Sequence, residues 1–435
     1  MTAVLLAGFV ALMLLGLPVA LAMVVASLAY VMISGTIPDF VVIHRMYGGI
    51  DSFPLLAVPF FILAGNLMNS AGITNRIYNF ALALVGWLRG GLGHVNIVGS
   101  MIFAGMSGTA IADAAGLGTI EIKAMKDHGY PIDFSVGVTA ASATLGPIIP
   151  PSLPFVIYGM MAGVSIGQLF LAGVIPGIVM GVFMMATVSW YAHRRKYGSD
   201  ATFSWPALLR TGADAFLALM TPVILLGGMT FGVFTPTEGA IIASAYALVL
   251  GFGWYRTLSL RMLAKISMDT IETTATVLLI VAAASIFGWL LTVTRVTDAV
   301  AAWVLSFTHT PWVFLLLANV LMLFIGCFLE PVAAITLLVP ILVPICQKLG
   351  IDLVHFGLVM VLNLMIGLLH PPLGTVLFVL SRTAKLSIER TTMAILPWLV
   401  PLFAALIVCT YVPGIVLWLP QHSAAMSQAV GGLLR

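Results

Sequence analysis

The chain has 435 residues, of which 61% are hydrophobic and 8% charged, with a formal net charge of +3. Soluble domains carry about 25% charged residues, so this composition excludes an ordinary water-soluble fold and describes a polytopic membrane protein. The only basic cluster is Arg194, Arg195 and Lys196, which argues against nucleic acid as a partner.

Lipid satisfies no backbone N–H or C=O, so only helices and closed barrels span it. A barrel would show alternating segments of about ten residues. The sequence has none, and an all-α fold is expected. From Phe134 to Ala192 there is no Asp, Glu, Lys or Arg. That run exceeds the ~20 residues of one membrane helix, so it holds two crossings. The 42 glycines suit close helix packing. Cys327, Cys346 and Cys409 lie in apolar stretches, which predicts buried thiols rather than a disulfide or metal framework.

The start is apolar from Ala3 onward without a positive n-region, so a first membrane helix is expected there rather than a cleaved signal peptide. Residues 1–53 hold this helix or helices. Whether 3–33 crosses once or twice is open, and with it the side of the N-terminus. Residues 54–192 form a first unit. Within it, 77–88 is too short to span, since 12 residues make about 18 Å of helix against a ~30 Å core. That stretch is expected along the cytoplasmic interface. Segment 94–122 is read as a re-entrant hairpin, 134–160 as a crossing broken by proline, and 168–192 as a full crossing.

The loop 193–212 carries Arg194, Arg195, Lys196 and Arg210 and is cytoplasmic by the positive-inside rule. Over 213–269, residues 213–233 and 236–254 cross out and back, returning Arg256, Arg261 and Lys265 to the cytoplasm. Residues 270–419 form a second unit: 270–293 crosses outward, 297–308 lies along the outer face, and 311–347 is a hairpin entering from outside. There 353–380 is a broken crossing and 392–419 a crossing, with 420–435 as a tail. This arrangement puts 14 of the 18 Lys and Arg on one side, the exceptions being Arg45, Arg295, Lys348 and Arg435. The second unit is the first turned upside down.

A shift of 221 positions supports that pairing. It carries Gly105 onto Gly326, Gly129 onto Gly350, Gly146 onto Gly367, Pro150 and Pro151 onto Pro371 and Pro372, and Pro176 onto Pro397. Corresponding Gly/Pro-interrupted segments in two halves point to a transporter's binding site.

The first hairpin reads FAGMSGT at 103–109 and ADAAG at 112–116. Its tip must be irregular, and such backbone survives at membrane depth only where it lines a cavity. The tip carbonyls, Gly108 and the hydroxyls of Ser107 and Thr109 are hard oxygen ligands suited to Na⁺, against the plainer reading of packed helix-turn hydroxyls. The breaks read GPIIPPS at 146–152 and GLLHPPLGT at 367–375. Paired prolines remove donors and clash with the preceding turn, which frees carbonyls near Gly146, Pro150, Pro151, Gly367, Pro371 and Pro372. The half-helices beginning at Ser152 and near Gly374 and Thr375 offer positive ends to an anionic group. Asp113, Glu238 and Glu330 are acidic residues within apolar stretches, where carboxylates are costly. Glu330, followed by Pro331, could ligate a cation, carry a proton or cap a half-helix. Asp113 could cap the returning half-helix, and Glu238 suits a helix start after Thr235. His370 is either a packed residue or a proton carrier.

These motifs resemble the large membrane subunit of tripartite ATP-independent periplasmic (TRAP) transporters. The matching stretches are PLLAVPFFILAG at 54–65, MSGT at 106–109 with Ala112 and Asp113, 146–152, 331–344, GIDLVHFG at 350–357, and the segment from His370. The resemblance runs through most of the chain. It implies the ion-transporter superfamily fold: inverted repeats, a static scaffold, and a mobile elevator domain carrying both hairpins. It implies Na⁺-driven uptake of organic acids such as C4-dicarboxylates, 2-oxo acids or sialic acids in the bacterial inner membrane, with no cofactor. It also implies two partners, a small membrane subunit of about four helices and a periplasmic substrate-binding protein. The family's ion sites map here to Ser107, Gly108, Thr109 and 150–152, and to Glu330, Pro331, Pro371, Pro372, Gly374 and Thr375. The family pattern has Thr before the second Pro-Pro; His370 stands there instead, which opens a proton role.

A stand-alone Na⁺ or H⁺/carboxylate symporter of the same fold is the nearest alternative. From another class, GMSG at 105–108 resembles an intramembrane serine protease motif with His370 as base, but the repeat predicts a serine site in neither half.

Overall fold

The computed structural model describes the backbone of residues 2–371 and 374–433, and their side chains except at 2, 3, 107 and 424–433. Pro372 and the Ser107 side chain therefore lie outside the described residues, as does Arg435. Among the described residues the regular structure is helical throughout, apart from one isolated bridge between Arg89 and Ser199.

The chain opens with two packed helices, α1 (Thr2–Leu14) and α2 (Val19–Ser34), followed by α3 (Phe40–Ile50). Next come α4 (Ala57–Ser70), α5 (Ile73–Val85) and α6 (Gly91–Ser107). Two shorter helices, α7 (Ala110–Ala115) and α8 (Leu117–Asp127), return alongside α6. Helices α9 (Ile132–Ala143) and α10 (Leu153–Ala162) flank the first break, and α11 (Ile166–Arg195) follows. Then come α12 (Trp205–Thr230), α13 (Pro236–Leu248) running into a π turn, α14 (Leu260–Val293) and α15 (Val296–Phe307). A second helix pair, α16 (Pro311–Gly326) and α17 (Pro331–Lys348), precedes α18 (Leu353–Gly367) and α19 (Thr375–Ala384), which flank the second break. Helices α20 (Ile388–Tyr411) and α21 (Pro413–Leu433) close the chain. Seven helical stretches among the described residues are long and apolar enough to cross a membrane, by length and composition.

Helices α9 and α18 lie at the centre. Every residue from Phe134 to Ala143 and from Val354 to Gly367 is buried. Their sequences are apolar or small on all sides, and a helix without a polar face is stable only when surrounded. The broken helices are thus the core rather than part of the rim. A second cluster joins α1, α2 and α3 to the C-terminal half of α14 through residues such as Phe9, Met23 and Phe287.

Two buried polar ties fix each central helix to its neighbouring hairpin. Asn96 on α6 donates to Thr139 at 2.7 Å and accepts from Ser142 at 2.6 Å, both on α9. Asn363 on α18 donates to Asn319 on α16 at 2.5 Å, and Asn319 donates to Thr410 on α20 at 3.1 Å. In a dry interior an unmet amide costs about 1–3 kcal/mol, so these bonds set the register between helices. At the basic end, Asp200 accepts from the Leu92 amide at 2.8 Å and from Tyr130 at 2.5 Å, pinning the loop after α11 against the start of α6. Burial, with Asp200 beside it, pushes the Tyr130 phenol above its usual range.

Three expectations change. The stretch 392–419 is two helices, not one. Pro413 supplies no N–H and keeps Val412 out of the helical region (φ −120°, ψ 74°), which ends α20. Residues 420–433, expected as a tail, continue α21. Helix α14 starts ten residues before 270, because the Ser259 hydroxyl caps it by accepting from the Met262 amide at 3.2 Å. Arg261 and Lys265 therefore belong to a helix and not to a loop. All three cysteines are free and buried.

Gly367 is pressed against the end of α16: a Cβ there would lie 2.7 Å from the Gly326 backbone. Gly367→Ala should destabilise the protein by about 1–3 kcal/mol, read as a lowered thermal unfolding midpoint in detergent. Gly227→Ala, in α12 with nothing within 4 Å of the new Cβ, should be neutral or stabilising by up to about 1 kcal/mol. Equal effects at the two positions would refute the close approach.

Candidate functional site

The first hairpin tip is made by one glycine and one threonine. Helix α6 ends at Gly108 with φ +63°, a left-handed conformation that favours glycine. A Cβ there would also sit 2.8 Å from the Pro151 carbonyl oxygen. The tip is thus seated on the first break. Thr109 is extended and caps α7, its hydroxyl accepting from the Ala112 amide at 3.3 Å. Thr109, rather than Asp113, is the cap. Gly146 lies beneath the tip, with its Cβ position 3.1 Å from the Thr109 carbonyl oxygen.

The first break spans the residues between Ala143 and Leu153 and includes a cis Pro150–Pro151 bond. Ser152 closes it. Its hydroxyl donates to the Pro147 carbonyl and accepts from the Phe155 amide at 3.4 Å, capping α10. The Pro147 carbonyl is therefore engaged within the break.

The second hairpin tip is built around Glu330, which caps α17 by accepting from the Ala333 amide at 3.4 Å. Pro331 occupies the first helical position, where its missing N–H costs nothing. The second break starts after Gly367. A carbonyl can only accept, so His370 Nδ1–H donates to the Pro371 carbonyl at 2.8 Å, and it stands 3.3 Å from Cys327 Sγ. Gly374 folds back so closely that a Cβ would meet the Leu368 carbonyl oxygen at 2.3 Å. Helix α19 starts without a side-chain cap and packs against α7. The Thr375 hydroxyl is buried without a hydrogen-bond partner among the described residues.

Both tips and both breaks meet at one small cavity of about 50 Å³, lined by Gly108, Thr109, Pro147, Glu330, Pro331 and Leu368 among others. It has room for an ion or a water but not for an organic acid. A second hollow of about 700 Å³ also borders Glu330. Its walls are the start of α2 at Pro18, the α14 residues Glu272, Thr273 and Thr276, and Ala333. This volume is in the range of small-molecule sites. Glu330 borders both. His370 and Pro371 line neither; they face a separate cavity of about 220 Å³ with Cys327 and Phe328.

Four features were missed in the sequence. Asn96 and Asn319 each tie a hairpin arm to a central helix. Their partners Ser142 and Asn363 are 221 residues apart, but the same shift carries Asn96 onto Leu317 and not onto Asn319. Glu121 is 2% exposed, and its carboxyl oxygens, like those of the 1%-exposed Asp113, have no hydrogen-bond partner among the described residues. Lys123, Lys126 and Asp127 beside it gave it the look of a surface residue. Glu272 stands near the start of the crossing expected at 270–293, just after Arg261, Lys265 and Asp269, and was not counted among the acidic residues of apolar stretches. Glu238 forms a capping box with Thr235, as its position at a helix start suggests.

A family model described as "Tripartite ATP-independent periplasmic transporter, DctM component" matches residues 6–415. The sialic acid TRAP transporter large permease protein SiaM of Vibrio cholerae is 46% identical over 95% of this chain and 97% of its own length. The C4-dicarboxylate large permease protein DctM of Pseudomonas aeruginosa is 38% identical over 87% of this chain and 88% of its own. Among solved structures, the Alcanivorax borkumensis YdaH transporter aligns with a TM-score of 0.65 at 16% identity, covering 86% of this chain and 88% of that one. Neisseria gonorrhoeae MtrF aligns with a TM-score of 0.54 at 12% identity over 87% and 83%; at these identities the likeness is one of fold. The relatives are named as transporter permeases, not enzymes, so the protease reading is dropped. The chain belongs to the DctM family, the large permease subunits of tripartite ATP-independent periplasmic transporters.

Proposed function

We propose that this subunit carries out Na⁺-coupled uptake of an organic acid, with Na⁺ in the 50 Å³ cavity and the acid in the 700 Å³ cavity beside it. The observation that carries this reading is that Glu330 lines both. Thr109 and the tip carbonyls supply hard oxygen atoms, and Ser107 is assigned with them on sequence grounds. Helices α6 to α8 and α16 to α17 act as two inverted hairpins in a mobile elevator domain. The α1–α3 layer with α14 is the static scaffold that forms the far wall of the larger cavity. Substrate arrives from a periplasmic binding protein, and a small four-helix subunit completes the assembly in the bacterial inner membrane. The names of the relatives support a sialic acid, a C4-dicarboxylate or a 2-oxo acid such as 2,3-diketo-L-gulonate as the class of cargo.

The direct test is uptake of a labelled organic-acid panel into proteoliposomes holding this chain, its small subunit and its binding protein, with and without a Na⁺ gradient. Uptake that needs both Na⁺ and the binding protein supports the reading. Uptake by this chain alone would replace it with a stand-alone symporter.

Two substitutions sharpen the assignment. Thr109→Ala removes one hydroxyl and should raise the Na⁺ concentration for half-maximal uptake about tenfold, the loss of one such bond being worth roughly 1–3 kcal/mol. Thr109→Ser should restore it, and an unchanged Na⁺ dependence would discard the ion site. Glu330→Gln should cut Na⁺-driven uptake at least about tenfold at unchanged protein level; full activity would remove Glu330 from the coupling. For His370, replacement by Thr takes away the donor to Pro371. An unaltered pH profile of uptake would confine His370 to holding the break and exclude a proton role.

A further inference from the structure

The one basic cluster of the sequence ends beside an unassigned cavity. Helix α11 finishes with His193, Arg194 and Arg195, and Arg195 lines a hollow of about 240 Å³ with Arg390 and Asp133. Three helix ends converge there: the last residue of α11, the second residue of α9 and the third residue of α20. Two of these are N-termini, which favour an anion. At α20 the Ser387 hydroxyl already accepts from the Arg390 amide at 3.3 Å, and the third end is the C-terminus of α11, so the attraction rests mainly on the arginines. Arg390 grips Asp133 in a two-point pair at 2.9 and 3.3 Å, which cancels one charge. Arg195 has no carboxylate partner among the described residues; its guanidinium lies 5.0 Å from the Tyr191 ring centre. The hollow therefore keeps a net positive charge.

Its floor and its continuation are apolar. Tyr191 and Trp398 stack at 5.9 Å with an interplanar angle of 17°, and Trp398 is almost fully buried. From the hollow, α20 presents Met393, Val400 and Ile407 at helical spacing, exposed by 69%, 69% and 56%. A cationic end above a long exposed apolar stripe matches a phosphate headgroup with its acyl chains, not a soluble phosphate. Basic pockets between membrane helices on the cytoplasmic side suit anionic lipid headgroups, and the distribution of Lys and Arg puts this end on that side.

We propose that the cavity between Arg195 and Arg390 binds the headgroup of an anionic phospholipid, whose acyl chains follow the exposed face of α20. The lipid bridges α11 to the starts of α9 and α20, and so braces the helix that leads into the first break.

The test is titration of the full-length chain in detergent micelles with phosphatidylglycerol, phosphatidylcholine or inorganic phosphate, read by thermal unfolding and by lipid retained in native mass spectrometry. Phosphatidylglycerol should raise the unfolding midpoint and remain bound; the other two should not. Arg195→Gln should weaken its binding about fivefold, and Arg195→Gln with Arg390→Gln about 25-fold. Arg195→Lys should retain most of the binding. Arg382→Gln, on the same basic side but outside the cavity, should change nothing. If the double variant fails to fold, Arg195→Gln against Arg382→Gln decides alone. An equal response to phosphatidylcholine, an equal loss with Arg382→Gln, or stabilisation by inorganic phosphate alone would overturn the proposal. Displacement of the lipid by the small membrane subunit would reassign the groove to that partner.

Discussion

The structure depends on covering interrupted helix backbone inside an apolar bundle. A continuous helix satisfies its own N–H and C=O groups, but a helix broken at Pro150–Pro151 or at His370–Pro371 does not. In contact with lipid each unmet group costs several kcal/mol. The breaks therefore sit at the centre, and other backbone must come close enough to shield them. Gly108 against Pro151, and Gly326 against Gly367, are those close approaches. The small residues at these points follow from that need, as do the hairpins whose tips carry them.

The same constraint explains why polar side chains are buried where they are. Ser152, Thr109 and Glu330 each cap a half-helix that would otherwise begin inside the protein with bare amides. Capping and ion coordination then compete for the same oxygen atoms. A hydroxyl oxygen has two lone pairs and a carboxylate about four. Thr109 and Glu330 each retain acceptor capacity after capping, and both border the small cavity. Ser152 uses its hydroxyl as both donor and acceptor, which makes it a support for the break.

Much of this was legible in the sequence because proline and glycine act locally. The breaks at 146–152 and 367–375 and the hairpin tips follow from residues within a few positions of each other. The 221-residue shift pairs one break with the other without reference to any fold. What stayed hidden depends on contacts across the chain. Asn96 and Ser142 are 46 positions apart, and Asn319 and Asn363 are 44 apart; neither pair can be read from local pattern. Glu272 reaches the same cavity as Glu330 because α14 packs against α17, a contact between segments far apart in the chain. His370 was read with the ion site because it adjoins the prolines, yet its ring turns toward Cys327 and a separate cavity.

The charge in the larger cavity bears on the order of events in the proposed cycle. Glu272 and Glu330 both line it, and an organic acid is itself an anion. Two like charges about 4 Å apart repel by roughly 4 kcal/mol at an effective dielectric of 20, enough to weaken binding about a thousandfold. In the proposed cycle, a cation in the small cavity, which Glu330 also lines, would offset that repulsion before the acid enters. On this arrangement the ion is a condition for substrate binding and not merely a passenger. Coupling then needs no distant signal, because one carboxylate shared by two adjacent cavities links their occupancies, and linkage requires the acid to tighten the ion in turn.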